Sequence, residues 1–135
     1  MDHELRKMGT GAPDALHLPQ AAPIDAYGNG GFRFADMSHR GSLLCLPDSM
    51  RAWPIERADQ IDERALELVI ARAAEIDTLI IGTGREVFFF PNDLRVRLRE
   101  LGIVVDAMQT GPAIRVYNVM VGERRRVAAG LIAVS

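Results

Sequence analysis

The chain has 135 residues, of which 48% are hydrophobic and 25% charged, which is the composition of one globular domain and excludes a chain disordered throughout. Its 16 basic and 18 acidic residues leave a net charge of −2, so no long-range field favours nucleic acid or an anionic membrane as a partner. No window approaches the roughly 20 apolar residues of a membrane span, and no apolar stretch follows the charged residues 1–7, so we expect a cytoplasmic protein without membrane insertion.

The chain begins with a predicted tail and continues into short strands. Residues 1–22 contain several glycines and prolines and show no apolar period, which predicts a loose tail before a single α/β domain at residues 23–135. The glycines of residues 28–31 permit the positive φ of a tight turn, so the flanking extended pieces predict a hairpin. The strands predicted in this part are residues 24–27, 32–34, 42–46 and 50–53.

Helices and apolar strands alternate in the second half. Asp62 is a suitable N-cap, and Ile61 and Leu66 are spaced as a hydrophobic staple around the start of the first helix. Helices are also predicted after Pro91, ending at Gly102, and from about residue 111 to 121, with Thr110 as cap and Gly122 as stop. The strands predicted in this half are residues 78–81, 87–90, 103–107 and 127–134. This order predicts an α/β fold whose central sheet is covered on both faces.

One glycine-rich loop has the position of a ligand site. Gly82-Thr83-Gly84 follows a predicted strand, where open α/β sheets bind ligands, and Arg85 is beside it. The loop lacks the third glycine and the directly following helix of a dinucleotide site. Either its backbone amides approach an anion, or it is a tight turn into the next strand, which we consider the better interpretation.

Other polar residues allow both a functional and a structural interpretation. Asp106 and Glu123 could act as paired carboxylates in a cleft, or could end a strand and pair with an arginine. The run 124–126 is three arginines, which can bind phosphate or complement the end of a helix. Asn118 lies within a predicted helix, which suggests a specific hydrogen bond, either to a loop or to a ligand.

The sequence predicts no catalytic residues, no metal site and no cofactor. His3, His17 and His39 are scattered without the spacing of metal ligands. Cys45 is the only cysteine, so it cannot form an intramolecular disulfide, and burial in an apolar strand would make it inert.

Several short motifs in order resemble one known family, over roughly residues 24–134. It is the domain-of-unknown-function family that includes mitochondrial complex I assembly factor three and the adipogenesis-associated Mth-type domain protein. The residues that carry the resemblance are Ile80 to Gly84, Leu101 to Asp106, Thr110, Ala113, Tyr117, Asn118, Glu123, Arg125 and Ala128 to Leu131.

The resemblance implies a three-layer α/β fold, with a mixed central sheet, helices on one side and additional β structure on the other. It implies no established enzymatic activity, and a protein partner rather than nucleic acid. The oligomeric state stays open. The residues that match the family pattern, and so form a candidate pocket or contact surface, are Gly82, Thr83, Gly84, Thr110, Ala113, Asn118, Glu123 and Arg125. Arg85 and Asp106 are added to this set because Arg85 lies beside the glycine loop and Asp106 near the end of a predicted strand.

The sequence also departs from the family pattern at its last helix. Asp106 stands where the family often has glutamate, and Gln109 where it often has aspartate. Ile114 and Val116 replace a common cysteine and a common threonine. The loss of a thiol and a hydroxyl, together with a carboxylate at Asp106 that is one methylene shorter, favours a recognition surface over a catalytic site.

Two functional hypotheses follow. The first is a non-catalytic binding or assembly protein, related to respiratory complex assembly, that contacts a partner around the glycine loop. The second is a small-ligand binder, or an enzyme of unknown reaction, with a pocket near Gly82-Thr83-Gly84.

Overall fold

The computed structural model describes residues 16–135, which form a six-stranded sheet, a three-stranded sheet and three α-helices. Short 3-10 turns lie at Ala58–Gln60 and Ala73–Glu75. The strands are β1 (Leu16–Leu18), β2 (Ala26–Gly28), β3 (Gly31–Phe34), β4 (Met37–Arg40), β5 (Leu43–Leu46), β6 (Ser49–Ala52), β7 (Thr78–Gly82), β8 (Val104–Met108) and β9 (Val127–Leu131). The helices are α1 (Glu67–Ala71), α2 (Asn92–Glu100) and α3 (Thr110–Gly122).

The central sheet is mixed, with the strand order β1-β6-β5-β9-β7-β8. Along this order, β1, β6, β5 and β9 pair antiparallel with one another. Strand β9 then pairs in parallel with β7, and β7 in parallel with β8. The connections β7–α2–β8 and β8–α3–β9 explain the parallel half, because parallel neighbours need a crossover, usually a helix. Strand β7 therefore lies between two parallel partners, and the glycine loop lies at its carboxyl end.

Both faces of the central sheet are buried. Leu44 and Leu46 of β5 pack into one core together with α1 and α2, whereas Leu43 and Cys45 pack into a second core on the other face. This second core contains α3 and the small sheet β2-β3-β4. The predicted three-layer fold with additional β structure on one side is confirmed. The structure adds that α1 and α2 cover one face, while α3 shares the other face with the small sheet.

The predicted hairpin is confirmed, and a third strand extends it. Asn29 and Gly30 form the turn between β2 and β3 with φ of 53° and 80°, the left-handed values of a type I′ turn. Strand β4 was not predicted from the sequence. Its connecting residues Ala35 and Asp36 also adopt positive φ, at 48° and 61°, without a glycine to signal the turn.

The strand predicted at residues 87–90 is wrong. These residues form no strand, and the side chains of Val87 and Phe89 are 76% and 90% exposed. Strand β7 has β8 and β9 on its two sides, so the sheet offers no open position beside it. Only Phe90 at the end of the run is buried in the core.

Strand β1 lies within the segment predicted as a tail. It pairs antiparallel with β6 and forms one edge of the central sheet. Residues 1–15 of the predicted tail lie outside the described residues.

Helix α1 begins at Glu67, five residues after the predicted start at Asp62. The Asp62 carboxylate instead accepts a hydrogen bond from the Ala65 amide at 2.8 Å, within the turn that precedes the helix. Ile61 and Leu66, the predicted staple pair, both lie in the core beneath α1.

Candidate functional site

The glycine loop needs its glycines for two different reasons. At Gly82 an added Cβ would lie 3.0 Å from both Cα and Oγ1 of Thr110, so any side chain there would push α3 away. Gly84 has a φ of +88°, a backbone conformation that other residues rarely adopt. The loop is therefore packed directly against the first turn of α3.

Thr110 joins three segments through one buried hydroxyl. Its Oγ1 donates to the Ile132 carbonyl at 2.7 Å and accepts from the Gly84 amide at 2.9 Å. The Thr110 amide donates in turn to the Gly84 carbonyl at 3.0 Å. Gln109, not Thr110 as predicted, is the N-cap of α3, because Thr110 already lies in the first turn. The hydroxyl thus fixes the loop after β7, the start of α3 and the chain after β9.

The remaining polar groups of the loop also bond within the protein. The Thr83 amide donates to the Met108 carbonyl at 2.8 Å, and its hydroxyl donates to the Glu86 carbonyl at 2.6 Å. With the Gly84 amide bonded to Thr110, these groups serve a tight turn and are not presented to an anion. Arg85 is exposed and donates to the Ser135 carbonyl.

Asn118 makes the specific hydrogen bonds expected of an asparagine within a helix. Its Oδ1 accepts from the Ile24 amide at 2.8 Å, and its Nδ2 donates to the Ile24 carbonyl at 2.9 Å. The neighbouring Tyr117 hydroxyl donates to the Ala22 carbonyl at 3.0 Å. These bonds attach α3 to the segment that leads into β2. Ala113 is fully buried in the core beneath the same helix.

Glu123 and Arg125 lie at the opposite end of α3 from Thr110. The 13 residues of α3 rise by about 20 Å, which separates them from the glycine loop. Arg125 Nη1 lies 3.4 Å from Glu123 Oε1, and both side chains are exposed. Arg124, with φ of 59°, takes the position after the helix where glycine is usual. The arginine run therefore belongs to a helix end far from the loop.

Asp106 is exposed near the middle of β8. It pairs with Ile80 of β7 and, by strand alternation from the buried Val105, lies on the face of the sheet that carries α3. It shares this face with Asn118, whose amide is already bonded to Ile24.

The candidate site residues consequently divide into groups. One cluster surrounds the loop and contains Gly82, Thr83, Gly84, Arg85 and Thr110. The others are apart from it: Ala113 in the core, Asn118 on the segment before β2, Asp106 on β8, and Glu123 with Arg125 at the far end of α3.

Two depressions flank the glycine loop. One, of about 640 Å³, lies between the loop and the start of α3, and its lining includes Arg85, Gln109, Tyr27 and Ser135. The other, of about 400 Å³, lies on the side of the exposed segment 85–88 and of the residues after β9. Both volumes are in the range of small-ligand pockets.

The sequence analysis missed the most exposed apolar segment. Val87 and Phe89, 76% and 90% exposed, follow the loop directly. Sequence alone signalled this segment as an apolar run, but such a run is also typical of a buried strand. Its exposure is evident only from the sheet, in which β8 and β9 occupy both sides of β7.

Cys45 is fully buried in β5, as predicted. Burial raises the pKa of its thiol to about 12, so the reactive thiolate is almost absent at neutral pH. Burial also lowers the pKa of His17 and His39, whose rings lie 4.6 Å apart. Within residues 16–135, His, Cys, Asp and Glu form no group of three placed to hold a metal.

The sequence matches, over residues 24–132, the family described as "Protein of unknown function (DUF498/DUF598)". This match covers most of the chain and every helix and strand of the fold except β1. The chain belongs to the DUF498/DUF598 family.

Relatives of this DUF498/DUF598 protein are both bacterial and animal. It is 38% identical to an uncharacterized protein of Rhodobacter capsulatus, over 90% of this chain and 92% of that protein. It is 27% identical to mouse NADH dehydrogenase (ubiquinone) 1 alpha subcomplex assembly factor 3, over 85% of this chain. The match spans 62% of the mouse protein, so the chain corresponds to about three fifths of that relative.

Solved structures of DUF498/DUF598-like chains share its fold. A crystal structure described as an outer membrane protein from Bartonella henselae is 47% identical, with a TM-score of 0.84 over 88% of this chain and 100% of that one. A Rhodopseudomonas palustris protein solved by NMR is 58% identical, with a TM-score of 0.78 over 87% of each chain. Among residues 16–135 of the present protein, no helix is long and apolar enough to cross a membrane.

Proposed function

We propose that this DUF498/DUF598 domain is a non-catalytic assembly protein that binds a protein partner through the apolar segment 87–90 beside the glycine loop. The observation that carries the proposal is the exposure of Val87 and Phe89. Large apolar side chains that protrude next to each other are typical of contact surfaces.

Burial of these two side chains is favourable enough to matter in an interface. Covering a phenylalanine or a valine contributes about 1.5–3 kcal/mol each relative to water, and aromatic residues are enriched among interface hot spots. Glu86 and Arg85 beside the segment supply the polar rim that interfaces usually have.

The rigidity of the neighbouring loop supports binding rather than catalysis. The hydroxyls of Thr83 and Thr110 and the amide of Gly84 are all engaged in internal hydrogen bonds. These bonds hold the turn as far as Glu86, directly before the segment 87–90, which lowers the entropic cost of binding.

The animal relatives favour assembly of a respiratory complex as the process. Their names describe assembly factors of NADH dehydrogenase, while the Rhodobacter capsulatus relative is uncharacterized. We include a cytoplasmic location in the proposal, since the single Cys45 allows no intramolecular disulfide.

The test is complementation in the host of this protein. The gene is deleted, and cells are complemented with the wild type, with Val87→Ser/Phe89→Ser, or with Val96→Ser as a matched loss of an exposed valine on α2. Native gels and NADH oxidation by membranes measure the assembled NADH dehydrogenase.

We expect the wild type and Val96→Ser to restore the complex and the double variant to fail. All three proteins should have equal abundance and melting temperature. Unchanged complex levels after deletion would refute the assembly role. Full rescue by the double variant would instead refute the segment 87–90 as its contact surface.

The depression of about 640 Å³ supports a second candidate, a small-ligand binder. Of the polar residues first considered for such a pocket, Arg85 lies at this depression, with Gln109 as a further polar neighbour, whereas Asn118 and Arg125 are elsewhere. A ligand at 100 times its dissociation constant would stabilise the fold by about 2.7 kcal/mol. A metabolite whose thermal shift disappears in Arg85→Ala would favour this candidate, and a broad screen without a shift would oppose it.

A further inference from the structure

The outer edge of β8 is an open edge of the central sheet within the described residues 16–135. The Val104 amide donates to the Asp77 carbonyl at 2.9 Å, which shows that the even-numbered residues of β8 bond toward β7. In a parallel pair, the amide and carbonyl of one residue point to the same side. The main-chain groups of Val105 and Ala107 therefore point outward, in the spacing of a strand.

An arginine side chain occupies one of these outward positions. Arg95 of α2 donates from Nη1 to the Val105 carbonyl at 2.7 Å, and its guanidinium lies 5.5 Å from the centre of the Phe90 ring. Among the hydrogen bonds of residues 16–135 outside the β7–β8 pairing, none involves the Val105 amide or either main-chain group of Ala107. Arg95 thus stands in for one bond of a missing neighbouring strand.

The two sides of this edge differ in chemistry. The α3 face carries the exposed Asp106 at the middle of β8 and, toward one end, Val104 and Val119, which are 63% and 59% exposed. Both lie near the same end of the sheet, because α3 runs back along β8 and each residue is roughly 13 Å from the turn that joins them. On the opposite face, Arg95 and Arg99 are spaced i, i+4 and so share one side of α2.

We propose that the edge of β8 receives an extended segment of a partner protein in which apolar and carboxylate side chains alternate. Only a peptide backbone supplies donors and acceptors at the spacing of Val105 and Ala107. Alternate side chains of the added strand cover Val104 on one face and reach Arg95 on the other. The proposal rests on the proposed function and names how the partner binds.

Charge decides between a partner and a second copy of this chain. When a segment pairs with β8, one of its amides donates to the Val105 carbonyl in place of the Arg95 guanidinium. A carboxylate of the incoming strand then binds the released guanidinium. If β8 paired with its own copy around Val105, two Arg95 side chains would meet at the junction and repel each other. The arginines therefore favour an acidic partner strand.

A tethered strand tests the edge directly in the 135-residue chain. The Ser135 carbonyl accepts from Arg85, whose own carbonyl accepts from Gln109 at 2.5 Å, so Ser135 lies beside the end of β8. A flexible Gly/Ser linker after Ser135 can therefore carry an alternating Val-Glu segment to the edge at high effective concentration. NMR hydrogen exchange then follows the amides of Val105 and Ala107.

We expect the Val-Glu tether to slow exchange of both amides by about tenfold or more relative to the untethered protein. A Val-Lys tether of equal length should give at most a small part of this protection. Ala107→Pro removes an outward amide without removing a bond to β7, and should abolish the protection of Val105, whereas Ala107→Val should keep it.

Unchanged exchange with the Val-Glu tether, or equal protection by both tethers, would overturn the proposal. Concentration-dependent protection of the untethered protein would also overturn it, in favour of a second copy. Hydrogen exchange at β8 does not depend on assembly of NADH dehydrogenase. A failure of this proposal is therefore distinguishable from a failure of the complementation experiment that tests the segment 87–90.

Discussion

The hydroxyl of Thr110 is expected to be one of the most important polar groups for stability. Thr110→Val keeps the shape of the side chain and removes only its hydrogen bonding. The Gly84 amide, which donates to Oγ1 at 2.9 Å, and the Ile132 carbonyl, which accepts from it at 2.7 Å, then both lose their partner. Thr110 itself is 1% exposed, so water cannot easily replace the hydroxyl.

The expected loss of stability follows from these two groups. A buried polar group left without a partner costs about 1–3 kcal/mol, so two such groups with partial relaxation should cost about 2–4 kcal/mol. The free energy of unfolding of a domain is about 5–15 kcal/mol, so this loss is large but compatible with folding. In urea, it should lower the midpoint of unfolding by about 1–2 M without a change in slope.

The assay is urea unfolding followed by circular dichroism and tryptophan fluorescence, with Thr110→Ser as the matched control. Serine keeps the hydroxyl and should lose well under half of what Thr110→Val loses. Amide exchange at Gly84 should accelerate in Thr110→Val and stay slow in Thr110→Ser. If Thr110→Val changed the free energy of unfolding by less than about 0.5 kcal/mol, or if the serine variant lost as much, the reasoning from buried hydrogen bonds would be refuted.

Three further predictions concern Gly130, the two neighbouring histidines and Cys45. Gly130→Ala should destabilise the protein by about 1–3 kcal/mol, because the new Cβ would lie 2.6 Å from the Trp53 ring; a melting temperature equal to that of the wild type would contradict this. The free energy of unfolding should fall as the pH drops below 6.5, because burial lowers the pKa of His17 and His39 in the folded state and the unfolded chain takes up protons more readily. The double variant His17→Gln/His39→Gln should show a weaker dependence of the free energy of unfolding on pH below 6.5. A pH profile identical to that of the wild type would exclude the two histidines as the cause. Cys45 should not react with iodoacetamide in the native protein at pH 8 and should react in denaturant, since burial raises the pKa of its thiol to about 12; rapid native labelling would contradict its burial.

Local sequence patterns predicted most regular elements of the described chain. The turn at Asn29-Gly30 was recognisable because its residues are suited to positive φ, and Gly102 marked the end of α2 for the same reason. The apolar runs at β5, β7 and β9 indicated strands buried on both faces, which the two cores on opposite sides of the sheet explain. The family resemblance added the three-layer arrangement.

The same patterns failed where the neighbours of a segment decide its structure. The run at residues 87–90 has the composition of a buried strand, yet β8 and β9 already occupy both sides of β7, so Val87 and Phe89 project into solvent. Strand β4 was missed because Ala35 and Asp36 make a turn that their residue types do not signal.

The candidate site shows the same division between local and tertiary information. The sequence by itself determined that a turn follows β7 at Gly84, because the strand before it and the conformational freedom of this glycine are local properties. Only the tertiary structure brought Thr110, 26 residues beyond Gly84, onto that turn, and only the rise of α3 put Arg125 at the other end of the domain. Hydrogen-bond partners and exposure depend on which segments contact each other across the sheet, and the periodicity of a single segment does not determine these contacts.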